Sequence, residues 1–290
     1  MQAQGLFDVW IRMKPFISIQ NDKSSEDNQL TKSEKRSRSK SPKMNRGVFH
    51  EKLVNKGDFK ALRVEGDHIV LDEDVEDLDK ALFSSFKQTS FPNLIDEHDS
   101  NRNIYKASLE PRIDSIFEGK SFTILTYGIS GSGKSHTIFG TKTEQFKENG
   151  ILFHFIEAMM KRKDTWEMQN SVPVSITLSF IEIYNEQVRD LLSEDSTKRL
   201  PIVESPFTNG VMVPEMIKKP IQSLSQLNED LTSSLSKRIV CPNMNNNYSS
   251  RSHVIVEIVV QSQSTDRTSK QFSSKVRFVD LAGSEKVTRN

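Results

Sequence analysis

The chain is short of several features, and each shortage excludes something. Its 290 residues contain one cysteine, Cys241, so no intrachain disulfide framework is expected, which suits a reducing compartment. No run approaches the roughly 20 consecutive apolar residues of a membrane span. Residues 1–16 carry no long apolar core behind a basic flank, so no signal peptide is expected. An excess of one charge is missing too: 40 Lys and Arg face 39 Asp and Glu, for a net charge of +1. No global field therefore argues for nucleic acid or a membrane, and any basic partner surface must be local. Apolar residues are few, at 35% of the chain with a mean hydropathy of −0.54, so some segment should stand outside any core. The length still allows one large α/β domain or two small ones.

What is present is concentrated at residues 128–135, Gly-Ile-Ser-Gly-Ser-Gly-Lys-Ser. This is a full match to the phosphate-binding pattern G-x-x-x-x-G-K-[ST]. Gly128 and Gly133 permit a tight turn and a close approach to phosphate. Inward N–H groups across Ile129, Ser130, Gly131 and Ser132 would cradle anionic oxygens. Lys134 supplies a charge for the β- and γ-phosphates, and Ser135 a hydroxyl for Mg²⁺. A flexible Gly/Ser linker would be the bland reading, and the context argues against it. The preceding Phe122-Thr-Ile-Leu-Thr-Tyr127 is β-branched and aromatic and reads as a buried strand. The stretch from Ser135 lacks proline and can open a helix, the setting that a nucleotide site requires.

Around this loop the chain alternates in type. Residues 7–13 alternate apolar and polar side chains and read as a strand ended by Pro15. Residues 20–58 form an insertion that is nearly free of apolar side chains up to Arg46 and is expected to be disordered. Its basic, serine-rich part (32–46) reads as a solvated loop, a nuclear-localisation signal, a phosphorylation target before Pro42, or a contact for an acidic polymer. Two short strands are expected around Gly66-Asp67, then an acidic stretch at 72–79. Helices are expected over 104–117, 150–161 and 224–235, and strands over 172–184, 254–260 and 275–279. This alternation implies an α/β fold with a largely parallel or mixed sheet covered on both faces. No internal repeat is visible.

Two later segments sharpen the reading. Asn246-Asn-Tyr-Ser-Ser-Arg-Ser-His253 sets small hydroxyls beside an arginine just before a strand. Val279-Asp-Leu-Ala-Gly-Ser-Glu285 sets an aspartate at a strand end, then a glycine and a glutamate. An acid at a strand end suits a nucleotide-bound Mg²⁺, and Gly283 would let a backbone N–H approach a γ-phosphate.

With these three segments in this order, the chain resembles the kinesin motor domain. Arg12-Met-Lys-Pro15 looks like the family's R-x-R-P, and Glu182-Ile-Tyr-Asn-Glu186 with Asp190-Leu-Leu192 looks like its E-I-Y-N-E-x-x-x-D-L-L. The resemblance implies a P-loop NTPase: an α/β fold with a central mixed, mostly parallel sheet flanked by helices on both faces. Arg12, Lys14, Pro15 and His136 would surround the adenine of ATP. Ser135, Ser250 and Asp280 would hold Mg²⁺. Ser249 would contact the γ-phosphate and Gly283 would sense it. Arg251 and Glu285 would form a salt bridge that aligns the attacking water, with Asn246 helping to position it. The implied partner is the microtubule, with tubulin's acidic surface as the contact. The implied location is the cytoplasmic cytoskeleton or spindle. No membrane or nucleic-acid partner is expected, and dimer contacts would lie in segments outside this chain.

The family continues past the equivalent of Glu285 with a switch helix, further strands and a neck. Residues 1–290 are therefore expected to be a partial motor domain, not motile alone. Ser130 and Ser135 stand where the family usually has threonine, and Phe153-His154 where it usually has Pro-Arg, which suggests a divergent member, with a spindle or cytokinesis branch as the guess. Two alternatives stand beside this reading. Asn55-Lys-Gly-Asp58 matches the N-K-x-D guanine motif of GTPases, although it precedes the phosphate loop instead of following it. A non-motile nucleotide- or microtubule-binding fragment is the other, motivated by Lys218-Lys219 and the 32–46 run.

Overall fold

The computed structural model describes residues 11–12, 62–65, 68–71, 89–90, 93–95, 98–142, 147–205, 210–239, 251–263 and 270–285. Lys14, Pro15, Asn246, Ser249, Ser250, Cys241, the 20–58 insertion with its Asn55–Asp58 tetrapeptide, and the acidic 72–79 stretch lie outside the described residues. The chain divides into two units, residues 1–98 and 99–290.

The first unit holds β1 (Ile11–Arg12), β2 (Leu62–Glu65), β3 (His68–Leu71), β4 (Thr89–Ser90) and β5 (Leu94–Ile95). Strand β1 pairs in parallel with β5, placing Arg12 opposite Ile95. The antiparallel β2–β3 pair coincides with the two strands expected around Gly66-Asp67, and β4 adds to β3.

The second unit opens with α1 (Asn101–Ser108), a 3-10 turn (Glu110–Arg112) and α2 (Ile113–Ile116). Ser100 caps α1, its hydroxyl accepting from the Asn103 N–H at 3.2 Å. Then come β6 (Phe122–Thr126), α3 (Lys134–Phe139), the hairpin β7 (Gly140–Lys142) and β8 (Lys147–Asn149), and α4 (Ile151–Asn170). Next are β9 (Val174–Tyr184), β10 (Gln187–Asp190), β11 (Arg199–Leu200), the hairpin β12 (Val203–Glu204) and β13 (Val211–Met212), and β14 (Lys219–Pro220). Helix α5 (Leu224–Ile239) and strands β15 (His253–Ser262) and β16 (Ser273–Asp280) complete the unit.

The central sheet runs β11-β10-β9-β15-β16-β6, with β14 also on β9. It is mixed and flanked by helices, as expected, but it is not mostly parallel. Among the described strands of this sheet only β16–β6 is parallel. One of the antiparallel pairs has a local reason. Strands β9 and β10 are joined by Asn185-Glu186, both at positive φ (49° and 59°), the two-residue turn that favours a hairpin. Alternation of element types along the chain does not reveal such a turn. The single parallel pair is the one that matters for the site, because it sets Asp280 beside Thr126 at the mouth of the phosphate loop.

Period-two burial gives the sheet one deeply covered face. Val254, Val256, Ile258 and Val260 of β15 and Val276 and Phe278 of β16 are fully buried there. Phe155 of α4 meets Phe278 at a ring-centroid distance of 5.3 Å and Phe122 at 6.2 Å, and Phe139 of α3 stacks on Phe180 at 5.8 Å. The helix contacts described here fall on this face. On the other face a smaller cluster gathers Ile181, Ile183 and Ile255 under Val213 and Met216, while Leu125 is 56% exposed.

Phe278 ties α4 to the strand that ends at Asp280. Phe278→Ala is expected to lower stability by about 3–5 kcal/mol, since the cavity is walled by other buried rings. Denaturant unfolding would read this as a drop in midpoint without a change in slope.

Candidate nucleotide site

The site starts where β6 ends. Residues 127–133 loop out and return as α3, with Gly128, Gly131 and Gly133 all at positive φ (154°, 76° and 95°). At Gly128 the requirement is also steric, since a Cβ would lie 2.7 Å from Ser132 Oγ. Lys134 turns back over the loop. Its Nζ donates to the carbonyls of Gly128 (2.9 Å) and Ile129 (2.8 Å), which holds the ammonium at the loop's concave side.

The end of β16 meets this loop. Ser135 Oγ donates to Asp280 Oδ2 at 2.6 Å, joining residues 145 apart in sequence. The same carboxylate oxygen accepts from Arg238 Nη1 at 2.7 Å. Arg238 and Asp280 are both buried, with side-chain exposures of 4% and 1%. Arg238 is held in turn by Ser252: Nε donates to its hydroxyl (3.3 Å) and Nη2 to its carbonyl (3.2 Å). Asp280 Oδ1, by contrast, is buried with no hydrogen-bond partner. Such an oxygen costs free energy unless something positive faces it. A hydroxyl and a carboxylate oxygen are hard donors that fit Mg²⁺, which takes one or two carboxylates together with substrate phosphates. The described residues contain no cluster of three or more His, Cys, Asp or Glu side chains that would suit a metal held by protein alone.

The segment after Asp280 lies against the loop. Ser284 N–H donates to the Gly128 carbonyl at 3.1 Å, and Ala282 N–H to His253 Nδ1 at 3.1 Å. Glu285 accepts from the Ser130 N–H at 2.9 Å and also from the Ser130 hydroxyl. The Ser130 hydroxyl is the main cause that pulls the Glu285 carboxyl below its ordinary pKa, with backbone N–H groups and the Lys134 charge assisting. A loop N–H thus already grips an anionic oxygen. Gly283 makes this possible, because a Cβ there would collide with the Glu285 carboxylate and with Ser130 Oγ.

The structure therefore joins Gly128–Ser135, Asp280, Gly283 and Glu285. It does not form the expected Arg251–Glu285 salt bridge. Arg251 is exposed at a bend, and Glu285 takes the two donors of Ser130 instead. His136 sits on α3 with Nδ1 2.6 Å from Thr141 Oγ1 and Nε2 3.2 Å from Glu148 Oε2. Arg12 lies on β1 in the first unit, half-buried. Arg238 escaped the sequence reading. A signal existed: Leu227, Leu231, Ser234 and Arg238 share one buried helical stripe, and an arginine on such a stripe needs an acid.

The kinesin motor-domain family description matches residues 12–290 of this chain. The chain belongs to the kinesin motor-domain family. It is 33% identical over 213 residues to Kinesin-like protein 6 of Schizosaccharomyces pombe, covering 69% of this chain and 26% of that protein. It is 32% identical over 212 residues to Kinesin-like protein KIN-14M of Oryza sativa subsp. japonica, covering 70% of this chain and 17% of that one. Among solved structures, a fast kinesin superposes with a TM-score of 0.66 at 27% identity, covering 78% of this chain and 60% of the other. The matched regions thus span about a quarter or less of those two relatives' length. In this kinesin chain Ser130 and Ser135 each make a hydroxyl contact, to Glu285 and to Asp280.

Removing Arg238 alone would strand a buried carboxylate. Arg238→Met is expected to cost about 3–5 kcal/mol, with part recovered in the double variant Arg238→Met, Asp280→Leu. Thermal unfolding of the three proteins checks this, and equal losses for the single and double variants would contradict it.

Proposed function

We propose that this chain binds ATP with Mg²⁺ and hydrolyses it as the motor domain of a microtubule-based kinesin. The observation that carries the reading is the Ser135–Asp280 hydrogen bond. It brings the phosphate-loop hydroxyl to the carboxylate that ends β16, with a buried carboxylate oxygen left over. Few arrangements other than a metal-nucleotide site need that pair at that loop.

Each side chain has a task in this scheme. Lys134 releases its carbonyl partners to meet the β- and γ-phosphate oxygens. Ser135 and Asp280, with Ser250, would hold Mg²⁺, which supplies charge neutralisation on the phosphates. Ser249 would contact the γ-phosphate and Asn246 the attacking water. Glu285 would exchange Ser130 for Arg251 when a γ-phosphate takes the loop donors, and Gly283 gives it room to do so. Phosphoryl transfer to water needs positioning and charge stabilisation more than covalent help, and these residues offer both. Arg12, Lys14, Pro15 and His136 are assigned to the adenine. Release of the segments after phosphate loss would alter grip on the microtubule and so drive movement of the whole protein. The site of action would be the microtubule cytoskeleton. The 20–58 insertion is proposed to belong to that motor domain as a basic, serine-rich segment.

Lys134→Ala is expected to weaken ATP binding by roughly 100-fold or more, because it removes a charge-assisted contact to two phosphates. In the full-length protein, Glu285→Ala should abolish microtubule-stimulated turnover and leave ATP binding within about twofold. Competition binding and steady-state phosphate release measure the two effects. Unchanged turnover in Glu285→Ala would refute its role, and GTP displacing labelled nucleotide as well as ATP would refute the adenine assignment.

A further inference from the structure

Both ring nitrogens of His136, in the first turns of α3, are spoken for. Thr141 on β7 lies at Nδ1 and Glu148 on β8 at Nε2. A carboxylate only accepts, so Nε2 carries a proton and the Thr141 hydroxyl serves Nδ1. Glu148 is itself fixed: its second oxygen accepts the Asn101 N–H at 2.6 Å at the start of α1. The fully buried Asn101 side chain then donates to the His136 carbonyl (3.0 Å) and the Asn149 carbonyl (3.2 Å). Helix α1, helix α3 and the β7–β8 hairpin thus clamp one imidazole, from its backbone and from its ring edge. The clamp does not bury it, since 29% of the His136 side chain remains accessible.

We propose that Glu148 is a positioning residue that holds His136 by its edge, so that the ring meets the nucleotide base by its plane alone. This rests on the reading that places His136 beside adenine. With both nitrogens engaged, His136 has no hydrogen bond to offer a base. It supplies stacking affinity, which any purine accepts, and base choice must come from other residues. Base grip and phosphate grip are then mechanically separate. The hairpin sets the first through Glu148 and Thr141, and the Gly128–Ser135 loop sets the second.

Two probes separate them: ATP, and inorganic tripolyphosphate, which has no base. Each would displace a ribose-labelled fluorescent ADP from the full chain and its variants. Glu148→Ala and Thr141→Val are each expected to weaken ATP by roughly 3- to 10-fold and to leave tripolyphosphate unchanged. His136→Phe, which keeps a flat ring but needs no clamp, should keep the ATP to GTP ratio. In that background Glu148→Ala should cost clearly less ATP affinity than it does beside His136, what remains being its hold on Asn101. His136→Ala weakening ATP while Glu148→Ala and Thr141→Val do not would overturn the clamp. His136→Ala leaving ATP affinity intact would instead overturn the adenine reading beneath it. Equal losses for ATP and tripolyphosphate would overturn the positioning role, because they would mean damage to the phosphate loop.

Discussion

Asp280 is a buried carboxylate with two donors on one oxygen and none on the other, and the second unit is arranged around that imbalance. An ionised carboxylate cannot sit in a protein interior unless cations and hydroxyls surround it. Arg238 supplies the charge, and it is buried for the same reason. Ser252 then fixes the guanidinium, and Ser135 brings the phosphate loop to the other side. Removing any one partner leaves a buried polar group without its match. The three segments therefore hold one another in place, although they come from a helix, a strand end and a loop far apart in sequence.

The packing of the sheet serves this junction. Phe278 precedes Asp280 on the same face and is wedged against Phe155, so the strand end is set by a hydrophobic contact two residues away. The parallel β6–β16 register then aligns Asp280 with Thr126, the last strand residue before the loop. The loop itself is kept open by glycines and by the Lys134 contacts to its carbonyls. Beyond the junction, Glu285 rests on Ser130 in the place where an anionic oxygen would be gripped. Under the proposed function, the donors that hold the Glu285 carboxylate are the ones a phosphate would compete for.

Much of this was legible from residue types. The glycines, Lys134 and Ser135 have fixed spacing because backbone geometry demands it, and Asp280 and Gly283 follow a run of strand residues. Strands β9, β15 and β16 were visible from their β-branched content, though each extends or shifts by a residue or more at its ends. Other features were hidden for physical reasons. Arg238 looks like one of two adjacent cations at the end of α5, and only its place on a buried stripe distinguishes it. Glu148 lies in a polar hairpin whose letters say nothing about His136. The antiparallel β9–β10 pair turns at Asn185-Glu186, both at positive φ, which many turns do not require. Glu285 rests on the two donors of Ser130 instead of on Arg251, a contact no pattern of letters contains.

The central claim is that Ser135 and Asp280 form the metal end of a nucleotide site. The most direct measurement is ATP affinity as a function of Mg²⁺ concentration, in the unaltered chain and in Asp280→Asn. The account predicts that Mg²⁺ tightens ATP binding in the unaltered chain, and that Asp280→Asn removes most of this dependence while still binding metal-free ATP through Lys134 and the loop. An Asp280→Asn protein that folds and keeps the full Mg²⁺ dependence would contradict it.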